Sequence, residues 1–257
     1  MSKKKHRCFN LMPKYKRFSD ASISEKILDS MFLITIGVGY LFALLNLYYT
    51  HQGRDGEPGL SVTDVMYAYH GSHNQTRLGA AINGPMEPNL PNEAAKQEIL
   101  GWLNHGATEA EYHEKVEPII QDNCVMCHSA ESGMSIPHFD SFAKVSEMTK
   151  TDTGATIPAL VRVSHIHLFG IAFILFFVGR IFILCEMSAW LKRITVAIPF
   201  AFLLMDILSW FITKYIPGFA YVVVINGALM GMAFGGQLLT SLYQMWFYKP
   251  KTNHIEM

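Results

Sequence analysis

Cys124, Cys127 and His128 form the string Cys-Val-Met-Cys-His, the part of this chain whose residue types and spacing point most directly to chemistry. Two thiols three positions apart, followed at once by a histidine, match the spacing used for covalent attachment of a c-type haem. Both thiols must reach the two vinyl groups on one edge of the porphyrin. The next side chain must turn under the iron, which makes His128 the expected proximal ligand. One covalent haem c, held by Cys124, Cys127 and His128, is therefore the expected cofactor. The competing use of such a thiol pair is half of a zinc site, which would need two more Cys or His ligands at close spacing. The only other cysteines are Cys8 and Cys185, and the topology deduced below puts both across a membrane from the motif.

The elements that position this motif are membrane-spanning. Half of the 257 residues are hydrophobic and the formal net charge is zero, so there is no basic field to attract nucleic acid. The charge is segregated. The first 26 residues carry eight Lys/Arg against Asp20 and Glu25, residues 51–162 carry fifteen Asp/Glu against seven Lys/Arg, and the last third is almost uncharged. Four apolar runs approach or exceed the ~20 residues needed to cross a bilayer, at about 27–49, 163–185, 194–212 and 219–247. The first has a long basic leader and no small-residue cleavage site after it, so it reads as a retained signal anchor.

Orientation follows from the basic residues. Lys3, Lys4, Lys5, Arg7, Lys14, Lys16, Arg17 and Lys26 hold the N-terminus in the cytoplasm. Lys192 and Arg193 mark the next inner loop, and Lys249 and Lys251 an inner C-terminus. The expected order is a cytoplasmic leader 1–26, a first span 27–50, an exported domain 51–162, spans two to four within 163–248 and a cytoplasmic tail 249–257. The fold class is all-α: four transmembrane helices with a small helical domain inserted between the first and second. This assigns the chain to a bacterial inner membrane with its motif in the periplasm. Cys8 and Cys185 become reduced cytoplasmic thiols.

Within the exported domain, residues 51–62 read as a linker. Short helices are expected at 64–69 and 77–82. Clearer ones follow at 92–104, where Ala95, Ile99, Leu100 and Leu103 recur at helical spacing, and at 109–123, which Pro118 ends or kinks. The segment EYHEKVEPIIQDNCVMCH resembles the first helix and haem motif of small class I cytochromes c. TRLGAAINGPMEPNLPNEAAKQEILGWLNHGA resembles their methionine segment and last helix. The order is reversed here, so the resemblance is to a rearranged, circularly permuted domain over about 65 residues. Its terminal helices would be joined through the connection 105–108.

The resemblance implies Met86 as the distal iron ligand. His165 and His167 are alternatives, as are Met134, Met148, His70, His73, His138 and an open site. In the membrane part, Asp206 and Asn226 fall at similar depths on the exported side, with His165 and His167 at the mouth. They read either as a polar clasp between helices or as a quinone pocket. Arg180 and Gln237 fall together nearer the other side. Gly227, Gly231 and Gly235 suggest close helix packing.

The function expected is transfer of single electrons at the outer face of an energy-transducing membrane, in a respiratory chain. This describes a carrier more than an enzyme with its own substrate. The partners implied are redox proteins or a larger complex. The alternatives are a quinol-oxidising subunit using Asp206 with His165 or His167, and an accessory or haem-sensing subunit.

Overall fold

The computed structural model describes residues 17–134 and 136–249. The basic side chains of residues 3–16, Lys251 and Cys8 lie outside the described residues. Four long apolar helices dominate: α1 (Ile23–His51), α8 (Ile157–Phe182), α9 (Ala189–Thr213) and α10 (Ala220–Trp246). Each is long and apolar enough to cross a membrane. The chain is a multi-pass membrane protein. No strand occurs among the described residues; Thr76 and Thr151 form a single isolated bridge.

Helices α8, α9 and α10 pack on one another around Leu175, Val178, Phe182, Leu203, Ile207 and Phe234. α1 leans on this trio through Leu33, through Tyr40 against Phe234 (5.2 Å between ring centres) and through Phe32 against Phe177 (6.0 Å). Much of α1 remains exposed, including Leu41, Phe42 and Leu45. In a bilayer these side chains meet lipid, which is as apolar as they are, so their exposure costs nothing.

The domain between α1 and α8 contains α2 (Val62–Tyr69), α3 (Arg77–Ile82), α4 (Glu93–Asn104), α5 (Glu109–Glu111), α6 (Glu117–Asn123) and α7 (Phe142–Ser146). Side-chain oxygens of Ser61, Thr76, Asn92 and Thr108 cap the starts of α2 to α5. A π-helical turn (Tyr112–Val116) joins α5 to α6. In it the Glu117 N–H reaches back to the Tyr112 carbonyl. Pro118, which has no N–H to give, follows as the second residue of α6. The kink expected at Pro118 therefore occurs as a widened turn just before it.

α4 lies against the π-helical turn, and Trp102 meets Tyr112 at 5.6 Å between ring centres. Both rings are buried with Ile99, Val116, Ile120, Phe139 and Val145. The Trp102 indole N–H donates to the Thr108 carbonyl at 2.9 Å. Thus the short connection 105–108 does join two helices that pack together.

Two boundaries differ from expectation. The second span starts at Ile157, capped by Thr156, six residues before the apolar run suggests, because Arg162 interrupts hydropathy without interrupting the helix. Residues 51–62 are also no loose linker. The fully buried Asp64 carboxylate accepts the Asp55 and Ser61 N–H groups at 3.0 and 2.8 Å and closes them into a compact turn. The segment leading into α8 is packed against the end of α2 where Gly71 and Gly154 cross. Both have positive φ, and a Cβ on Gly71 would sit 2.4 Å from the Gly154 nitrogen.

Candidate functional site

The Cys-Val-Met-Cys-His motif hangs directly from the end of α6. The N–H groups of Cys124 and Val125 bond to the Ile120 carbonyl, and those of Cys127 and His128 to the Cys124 carbonyl, at 2.8–3.1 Å. One tight turn thus carries both thiols and the imidazole. The loop that follows is closed at its neck, where the Phe139 N–H donates to the His128 carbonyl at 2.7 Å.

The His128 ring is fixed on two sides. Its Nδ1 lies 2.7 Å from the Pro137 carbonyl oxygen. A carbonyl only accepts, so Nδ1 carries the proton and Nε2 keeps its lone pair. Phe139 lies parallel to the ring, 4.3 Å away. A histidine whose Nδ1–H is held by a backbone carbonyl is oriented to give Nε2 to a metal. Cys124 and Cys127 are free thiols and half-buried. Burial and the neighbouring Cys127 raise the Cys124 pKa above the ordinary thiol value. The Tyr112 hydroxyl, in the core that Cys124 packs against, is buried and lacks a hydrogen-bond partner. Among the described residues no group of three or more His, Cys, Asp or Glu side chains could hold a metal ion.

The other expected ligands are dispersed. Met86 starts a short 3-10 turn, its N–H bonded to the Ala81 carbonyl at 2.8 Å and its side chain partly exposed. Met134 is exposed, while Met148 packs against the domain core. His70 Nδ1 bonds the Lys214 carbonyl at 2.9 Å and so ties the domain to the bundle, while His73 Nε2 bonds the His70 carbonyl at 3.0 Å within the domain. His138 lies in the loop closed by His128 and Phe139.

In the bundle, the structure separates the two histidines of α8. His165 packs on Phe169 of its own helix, whereas His167 meets the edge of Trp210 on α9 at 5.3 Å. Tyr69, at the end of α2, stacks on Trp210 at 5.8 Å. Burial, with the Asp206 carboxylate nearby, raises the Tyr69 hydroxyl pKa far above its ordinary value.

Asp206 and Asn226 are both buried, but no hydrogen bond joins them. Asp206 Oδ1 and Asn226 Nδ2 lack partners, so the expected clasp is not closed directly. Ser164 Oγ and Trp210 Nε1 also lack partners. Ser164, Asp206 and Asn226 each lie about 10 Å in from the domain end of their helices at 1.5 Å per residue. One polar residue from each of three packed helices therefore shares a level. Ser164, Trp210 and Tyr69 escape a search of the sequence because none is unusual for a helix of this kind; only the packing groups them.

Two further expectations concern helix packing. Arg180 and Gln237 do lie at one level, since a Cβ on Gly179 would sit 4.0 Å from Gln237 Oε1, but Gln237 is buried and donates to the Thr195 carbonyl at 2.6 Å whereas Arg180 is exposed. The glycines of α10 do not form a continuous seam. A Cβ at Gly227 or Gly235 would meet nothing within 4 Å, while one at Gly231 would sit 2.1 Å from Tyr40 Oη.

Residues 147–252 match a family model described as a transmembrane helical domain. The match covers α8, α9 and α10 and stops short of the Cys-Val-Met-Cys-His motif. Neither the curated proteins nor the solved structures yield a match. Over its last three helices the chain is similar to that transmembrane family.

Proposed function

We propose that this protein is a membrane-anchored monohaem c-type cytochrome that passes single electrons at the outer face of a bacterial inner membrane. The observation that carries the reading is the Cys124–Cys127–His128 turn, with Nδ1 of His128 committed to the Pro137 carbonyl and Nε2 left as a lone pair. Haem, when bound, supplies a one-electron iron couple. Cys124 and Cys127 would form the thioethers, and His128 Nε2 would be the proximal ligand. The Pro137 carbonyl and the Phe139 ring hold the imidazole plane, so little reorganisation accompanies electron transfer. Tyr112 offers a buried O–H beside Cys124, a donor suited to an acceptor on the bound group. Met86 remains the proposed distal ligand. The contact of Trp102 with Tyr112 supports a rearranged cytochrome c arrangement, in which the last helix precedes the first. The distribution of basic residues supports a periplasmic domain and cytoplasmic termini.

The test is expression in a host competent for cytochrome maturation. The mass of the purified chain should exceed the bare polypeptide by one haem, and the reduced protein should show c-type absorbance. The double variant C124S/C127S should have the bare mass. Wild-type protein with bare mass and no absorbance overturns the reading.

A second reading draws on the unpartnered polar atoms at Ser164, Asp206, Trp210 and Asn226. Buried polar atoms seek partners, and a quinol headgroup both donates and accepts hydrogen bonds. In that reading Asp206 and His167 accept the protons of quinol oxidation, and His165 takes no part. Quinol-dependent reduction of the purified protein, lost in Asp206→Asn, is the result that separates quinol oxidation from simple electron carriage.

A further inference from the structure

A cavity of about 1350 Å³ lies at the end of the bundle away from the α2–α7 domain, between α1, the end of α8 and the start of α9. Phe32 and Phe177, in ring contact at 6.0 Å, form part of its wall. Its walls are of two kinds. Leu28 and Phe32 of α1 and Phe177 and Ile181 of α8 supply apolar lining. Arg180, Lys192 and Arg193 line the part nearest the helix ends.

The charges around this cavity are unequally committed. Arg17 is paired with Glu186 at 3.3 Å. The Glu25 carboxylate is bonded to the N–H and hydroxyl of Ser22, at 2.8 and 3.0 Å. Asp29 lies on the α1 wall. Lys192 Nζ donates one hydrogen bond, to the Ile183 carbonyl at 2.8 Å, and keeps two donors. Arg180 and Arg193 are exposed and have no ion-pair partner among the described residues. α9 begins at Ala189 with neither a side-chain cap nor an acid in its first turn, so its positive end adds to the field of Lys192 and Arg193. Three cations with free donors in a cavity that also has apolar walls match an amphiphile with an anionic head.

We propose that this cavity binds one anionic phospholipid of the leaflet opposite the soluble domain. Arg180, Lys192 and Arg193 hold the phosphodiester, and the acyl chains lie along Leu28, Phe32, Phe177 and Ile181. The lipid lies between α1 and α8 beside the Phe32–Phe177 contact and adds to what joins the two helices. This site does not depend on haem. It stands or falls separately from the electron-transfer reading.

The test uses the full chain, extracted in a neutral detergent and stripped of lipid. It is titrated with phosphatidylglycerol or with phosphatidylcholine of the same acyl chains, and bound lipid is counted by native mass spectrometry. One phosphatidylglycerol should bind with at least about ten-fold preference. Affinity should fall about five-fold for each cation removed in Arg180→Gln and Arg193→Gln. Arg180→Lys, which keeps the charge, should retain most of it. Both Arg193 and Arg180 are exposed, so these variants should fold, and circular dichroism verifies that they do. Equal binding of the two lipids, or unchanged affinity in both Gln variants, overturns the proposal. So does an equal thermal shift from inorganic phosphate, since the apolar walls would then have no role. A large gain of lipid affinity on deleting residues 1–16 would mean that the leader occupies the cavity, and also overturns it.

Discussion

Replacing Gly231 by alanine separates a real helix contact from an apparent one. A Cβ there would lie 2.1 Å from Tyr40 Oη and 3.2 Å from Cζ. Normal contact is above 3 Å, so the hydroxyl must move by more than 1 Å. The Tyr40 ring has little freedom, since it packs on Phe234 at 5.2 Å. Overpacking of this kind costs ~1–3 kcal/mol. Gly227→Ala and Gly235→Ala meet open space and should gain up to ~1 kcal/mol from helix propensity. Thermal unfolding of the extracted protein should therefore place Gly231→Ala roughly 2–12 °C below Gly227→Ala, at ~2–4 °C per kcal/mol for a chain of this size. Tyr40→Phe removes the clashing oxygen and should recover most of the loss in the double variant, a coupling of ~1–2 kcal/mol. If the three alanine variants unfold together, or if Tyr40→Phe recovers nothing, the packing of α1 against α10 is not as described.

Three further outcomes follow from other regions. Trp102→Phe keeps the ring contact with Tyr112 but deletes the bond to the Thr108 carbonyl; it should cost about 1–2 kcal/mol, read as faster hydrogen exchange in residues 93–123. The Cys185 thiol is almost fully buried, and burial raises its pKa; at pH 8 it should alkylate far more slowly than unmodified Cys127, and equal rates would show that the α8–α9 connection is open. His113 is exposed and bonded to Glu117 at 2.7 Å, which raises its pKa above the ordinary imidazole value. Because the folded pKa is the higher one, the contact stabilises fully below pH ~6.5 and is lost as pH rises through the folded value; an NMR titration should show the shift disappear in Glu117→Gln.

The short helices of the inserted domain were legible because their signals are local. Asn92 and Thr108 are caps, and Ala95, Ile99 and Leu103 repeat at helical spacing within one segment. The four spans were legible for the same reason, since solvation by lipid acts on each residue separately. The start of α8 was misplaced because a helix bonded through its own backbone continues past Arg162, where hydropathy falls. The linker at 51–62 was misjudged because its order comes from one buried carboxylate, Asp64, whose burial depends on the rest of the domain.

Sequence alone determined that two thiols and a histidine share one turn, that four segments prefer lipid and that positive charge gathers near particular ends. Each of those is a property of neighbours along the chain. Only tertiary packing decided that the Pro137 carbonyl accepts from Nδ1 of His128 and orients its ring, that His167 rather than His165 meets Trp210, and that Gly231 alone of its stripe meets another helix. It also decided that Arg180 lines one cavity with Lys192 and Arg193 while Gln237 is buried against Thr195. Those relations depend on how each helix is rotated about its axis. Rotation is set by the sum of many weak contacts with other helices, and no local pattern of residues encodes that sum.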